Sequence, residues 1–196
     1  MDNHLSFEKQ VDHMCSKANG LLYLLNRQKE FLNQKSRICV VEALISNLFS
    51  YCSIIWGACN RTCISKIQKV QNFAAKVADG KGRKYDLATP FIKKLGWLKI
   101  DEKVHFDTLN FVFKIIQNKI PDWVVNLPTV NTYHGLETRQ ANDLLIPRTR
   151  TIIAEKSIAV RGPKAWNALP RETKDIILPS KFKGKIKEYI LQQQDS

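Results

Sequence analysis

The sequence predicts a mainly α-helical protein: a helical bundle over residues 1–127, then a small basic α+β appendage over 128–196 with a short hairpin and a final amphipathic helix. Three observations lead there. Apolar residues recur at three- and four-residue spacing through the first 119 positions, the period of a helix with one buried face. Helix-starting and helix-stopping residues punctuate that pattern at Asn60, Thr89-Pro90, Gly96 and Pro121. Beyond Pro128 the period shortens and polar, Arg-containing segments take over. A length of 196 residues suits one ordinary domain or a modest domain with an appendage, and 44% hydrophobic with 25% charged residues fits a folded chain.

The first helix is expected from about Leu5 to Asn26, capped by Asp2 or Asn3, with Val11, Met14, Ala18, Leu21, Leu22 and Leu25 on one face. A second starts near Gln34 and places Ile38, Val41, Leu44, Ile45, Leu48 and Cys52 on one side. Its continuation, Ala43 to Asn60, has no charge and approaches a bilayer-spanning length of ~18–20 residues, but five Ser or Asn residues interrupt it, so a buried core helix is the better account. Gly57 and Asn60 separate it from a third helix, Thr62 to Asp79, with the stripe Ile64, Ile67, Val70, Ala74 and Val77. Thr89-Pro90 opens a short helix that Gly96 stops. Asp101 caps a long one to about Asn118, with Val104, Leu109, Val112, Phe113 and Ile116 facing inward, and Pro121 to Leu127 is expected to form one more turn.

In the appendage, one strand is expected at Leu144–Pro147. Thr151–Ala154 and Ser157–Val160 read as two more, joined at Glu155-Lys156 as the hairpin. Gly162-Pro163 begins a helical turn through Trp166. From Ser180 a final helix sets Phe182, Ile186 and Ile190 opposite Lys181, Lys183, Lys185 and Lys187, and the QQQDS tail frays.

The charge is lopsided. The chain has 31 Lys+Arg against 18 Asp+Glu, a formal +13, and a pI near 9.6. Residues 61–100 contribute +8 and residues 135–196 contribute +5, while the rest cancels. Such an excess fits a polyanion, nucleic acid before an acidic membrane. Lys66, Lys69 and Lys76 lie off the apolar stripe of the third helix and share one edge, which Lys81, Arg83 and Lys84 extend through the DGKGRK loop. The bland account of such a run is a solvated helix face. Arg148, Arg150 and Arg161, with Lys164 in the same C-terminal part, suit bidentate phosphate contact; the competing account pairs the arginines with Glu137, Asp143 and Glu155. Trp97, Trp123 and Trp166 suit either base stacking or core packing.

No catalytic constellation emerges. The sequence has no phosphate-binding Gly loop, nucleophile elbow or H-E-x-x-H, and no adjacent Asp-Asp pair for two-metal nucleotidyl transfer. His4, His13, His105 and His134 are scattered. Cys15, Cys39, Cys52, Cys59 and Cys63 are odd in number; the last three lack the tight pair and fourth ligand of a zinc site. With no leader-like opening segment, free thiols in a reducing interior, cytoplasmic or nuclear, are expected, and no metal or cofactor.

Several runs bear a family resemblance. DNHLSFEKQVDHMCSKA, LLYLLNR, VVEALISNLFSYCSIIWG and ISKIQKVQNFAAKV follow one another as in the segment after the palm of reverse transcriptases from non-LTR (LINE-type, jockey-like) retrotransposons. LLIPRTRT, KSIAVRGPKAWNALP and SKFKGKIKEYIL resemble that family's terminal signature, and Leu95-Gly96-Trp97-Leu98 its short turn before a long helix. The resemblance covers nearly the whole chain. It implies a thumb-like bundle and a connection that grip a template–primer duplex of RNA or RNA–DNA hybrid. It also implies that the catalytic palm, with its metal-binding aspartates, lies upstream of Met1, so that the chain is a truncated copy that binds and does not polymerise. Helix faces that pack on a palm would then be open to self-association. The alternative is a helical structural or protein-interaction module with no nucleic-acid role.

Overall fold

The computed structural model describes residues 6–80, 82, 85–121, 125–134 and 143–193. The chain is mainly helical, and its residues gather into two compact units, Met1–Val104 and His105–Ser196. The division falls inside one helix, well before the 127/128 boundary that composition suggests. Composition changes where the loops begin, whereas compactness follows the core. The second unit takes its first core residues, Leu109, Val112 and Phe113, from the later turns of that helix.

In the first unit, α1 (Glu8–Arg27) begins after Phe7, whose left-handed backbone (φ 58) stops the helix from extending further back. α2 (Gln34–Val41) is capped by Asn33, whose Oδ1 accepts the Ser36 N–H at 2.8 Å. It runs without a break through a π-helical turn (Glu42–Ser46) into α3 (Asn47–Ser50). The wider turn leaves Val41, Ile45 and Phe49 on the core at four-residue spacing, while Leu44, expected inside, is 48% exposed. Cys52, also expected inside, is exposed and left-handed (φ 52), and it breaks the uncharged stretch before α4 (Ser53–Trp56). No helix among the described residues is long and apolar enough to cross a membrane.

α5 (Arg61–Asp79) starts at Asn60, whose side chain accepts the Cys63 N–H at 2.8 Å, and ends at Gly80 (φ 79). Its buried face carries Cys63, Ile67, Val70, Ala74, Val77 and Ala78, and it packs with Val11, Met14, Ala18 and Leu22 of α1. Two glutamines on α5 hold the chain that follows. Gln71 donates to the Leu98 carbonyl at 2.8 Å, and Gln68 accepts the Ile100 N–H at 2.9 Å.

α6 (Thr89–Lys94), with Pro90 in its first turn, ends at left-handed Gly96 (φ 65), where the Trp97 N–H reaches back to Ile92. α7 (Ile100–Ile116) starts one residue before the Asp101 cap expected of it. The Glu102 carboxylate accepts the Lys99 N–H at 2.8 Å, which leaves Asp101 as a first-turn acid. Trp97 packs against the core and donates to Glu42 at 3.0 Å, so its packing role prevails.

In the second unit the expected strands do not form; among the described residues there is only an isolated antiparallel bridge, Thr129 to Leu144. α8 is Val130–His134, and residues 125–128 hold no helical turn. The hairpin positions are helical instead. Thr151 caps α9 (Ile152–Glu155), its Oγ1 accepting the Ala154 N–H at 3.2 Å, and Ser157 precedes α10 (Ile158–Asn167). Ile152 and Ile153 suggested strand by their β-branching, yet both are exposed, so no sheet face exists to bury them. Val160, Pro163 and Trp166 recur at three-residue spacing on the buried side of α10, and Pro163 therefore lies within the helix rather than opening it. α11 (Arg171–Lys174) and α12 (Pro179–Gln192) follow. Phe182 of α12 stacks on Phe113 (centroids 4.0 Å) and tilts against Trp166 (5.7 Å), so Trp166 also serves packing.

Candidate nucleic-acid interface

Lys69 and Lys76 are seven residues apart on α5, two helical turns, and so share one face. Packing of α5 against α1 sets beside that face a row the sequence reading missed: Tyr23, Asn26 and Lys29. Together with Asn72, Phe73, Gly80 and Gly82 they line an open groove of about 960 Å³. Among the described residues three lysines border it and no carboxylate does. Phe73 is half-buried against the core, and Tyr23 leans on it with ring centroids 5.4 Å apart and planes at 51°, while remaining 63% exposed.

The C-terminal end of α5 is held by one guanidinium. Arg37 Nε donates to the Ala78 carbonyl (3.4 Å) and Nη2 to Asp79 (3.1 Å), the last carbonyls of α5. Its Nη1 donates to Lys29 (2.8 Å) and Leu32 in the connection before α2. Asp79 is buried, and its carboxylate accepts from Lys94 Nζ at 2.6 Å and Gln34 at 3.0 Å. The unpaired carbonyls of a helix end are thus met by a cation, the favourable sign for the helix dipole.

Lys66 stands apart from the groove. Its Nζ pairs with Asp12 at 2.7 Å, and that hydrogen bond raises the ammonium above its usual pKa. Nearby, burial raises the thiols of Cys15 and Cys63, with Asp12 adding to the first and Glu8 to the second. Lys66 is therefore a tie between α1 and α5. Lys81, Arg83 and Lys84 lie outside the described residues.

The C-terminal candidates fall on two stretches, residues 148–150 and α10. Arg148 and Arg150 are exposed and lie outside any helix. Arg161 Nε donates to the Lys156 carbonyl at 2.7 Å, and Lys164 pairs with Glu155 at 3.3 Å. Asp143 is engaged by Lys174 (3.2 Å), so lysines hold two of the acids that the competing account gave to arginines, and Glu137 lies outside the described residues. Lys181, Lys183, Lys185 and Lys187 form the exposed side of α12. Among the described residues no three His, Cys, Asp or Glu side chains gather as a metal-holding group. Compared with protein-family models, with curated proteins and with solved structures, the chain gives no match.

Proposed function

We propose that the chain is a thumb-and-connection-like region of a non-LTR retrotransposon reverse transcriptase, and that it holds RNA or an RNA–DNA hybrid by phosphate contacts without chemistry of its own. The observation that supports this best is the groove bordered by Lys29, Lys69 and Lys76, with no carboxylate among the described residues that line it. Lysines set this way neutralise successive phosphates, and affinity then depends on released counterions. The order of sequence motifs supplies the polymerase part of the reading.

Fluorescence anisotropy with a labelled RNA–DNA hybrid, titrated with salt, tests it. Three neutralised phosphates give a slope of log K against log salt of roughly −2 to −3. The double change Lys69→Glu, Lys76→Glu should flatten that slope by about 2 and weaken binding for every sequence alike. No binding at low salt, or a slope the double variant leaves unchanged, removes the proposal. The interaction-module reading would then stand, and exposed Phe31, Tyr85 and Leu87 favour it.

A further inference from the structure

Resting on that reading, we propose that the α1/α5 groove takes a single strand, with one base stacked on Tyr23. Phosphate contacts alone require cations, and the groove offers more. Its rim carries an aromatic ring that is 63% exposed and seated on Phe73, which the core anchors in turn. An exposed tyrosine on a soluble surface is unremarkable by itself. Here it stands among Lys29, Lys69 and Lys76 in one groove, the pairing of charge and aromatic platform that accepts single-stranded nucleic acid of any sequence. In a duplex the base faces are already stacked on one another, so a ring at the rim has nothing to stack on. In a single strand each base face is open, and the lysines follow the backbone on either side.

The amides fit the same ligand. Asn26 and Asn72 border the groove, and a carboxamide both donates and accepts, so it meets a base edge without demanding one base. Asn72 Oδ1 accepts from Gln68 Nε2 at 2.9 Å, which holds that amide in one orientation. The platform is pre-set as well: Phe73 belongs to the packed face of α5, and Tyr23 needs no rearrangement to present its ring.

The test uses the full chain and two fluorescein-labelled probes, a 12-nucleotide oligo(U) and a blunt 12-base-pair RNA–DNA hybrid, in low salt. The expected result is that Tyr23→Ala weakens oligo(U) binding by about 10- to 100-fold, leaves hybrid binding within about 2-fold, and lowers the melting temperature by only a few degrees through the lost contact with Phe73. Tyr23→Phe should keep oligo(U) binding, because stacking needs the ring and not the hydroxyl. Lys69→Glu with Lys76→Glu should weaken both probes. If Tyr23→Ala leaves oligo(U) binding intact while the lysine variant abolishes it, the single-strand proposal falls and the phosphate-binding reading survives. If the wild-type chain binds neither probe, both fall.

Discussion

Arg37 ties the end of α5 to the connection between α1 and α2, and its removal gives a prediction whose size follows from the geometry. Arg37→Met keeps the aliphatic stem and deletes every donor, so the carbonyls of Lys29, Leu32, Ala78 and Asp79 all lose their partner. A hydrogen bond to a charged group contributes about 1.5–3 kcal/mol. The contact to Ala78 is long at 3.4 Å, and Lys29 and Leu32 are only partly buried, so water replaces some of what is lost there. Counting two bonds at the lower figure and the remainder as rehydrated gives a loss of about 3 kcal/mol. For a unit of roughly 100 residues, with a urea dependence of about 1–2 kcal/mol per molar, the midpoint should fall by about 1.5–3 M. Arg37→Lys retains the charge at the helix end but not the fork, and should recover about half. Urea titration followed by tryptophan fluorescence measures all three chains. A midpoint shift under about 0.5 M for Arg37→Met, or a lysine variant indistinguishable from wild type, would refute the account of a multidentate clamp.

Two further outcomes concern the second unit. Phe182→Ala should cost about 3–5 kcal/mol, because the ring is fully buried between Phe113 and Trp166; calorimetry giving under about 1 kcal/mol would contradict that packing. Burial lowers the His105 pKa below its ordinary 6.5, so the unfolded chain takes up a proton more readily than the folded one. Stability should therefore fall as pH drops below about 6.5, and His105→Gln should flatten the melting temperature between pH ~6.5 and ~5.5.

Legibility in the sequence tracks the reach of each signal. Helices α1, α5 and α7 are long enough for an apolar stripe to repeat four or five times, and the stop signal after α6, Gly96, is a single residue with one conformational reason. The 151–160 segment is too short for a period to declare itself. Thr151 caps α9 through its hydroxyl and Ser157 stands at the N-cap position of α10 without a side-chain bond, roles that composition does not separate from a strand residue. In the site, Lys69 and Lys76 were legible because seven-residue spacing fixes a shared face. Lys66 matched them on spacing but finds its partner, Asp12, 54 residues away. Tyr23, Asn26 and Lys29 were missed for the same reason: only the packing of α1 against α5 brings them to the groove. Arg37 was one cation among many until the fold delivered four carbonyls to it.

The lone bridge between Thr129 and Leu144 has a bearing on aggregation. On one side of residues 143–145, the Val130 N–H donates to the Asp143 carbonyl (2.9 Å) and the Leu145 N–H to the Pro128 carbonyl (2.8 Å). On the other side a side chain stands in for a strand. Asn167 Oδ1 accepts the Leu144 N–H and its Nδ2 donates to the Leu144 carbonyl, both at 2.9 Å. An open edge would offer those two groups to a strand from another molecule, the usual route to edge-to-edge association. With both already paired inside the chain, a neighbouring molecule finds no backbone template at Leu144. Replacing Asn167 would free the edge as well as loosen the fold.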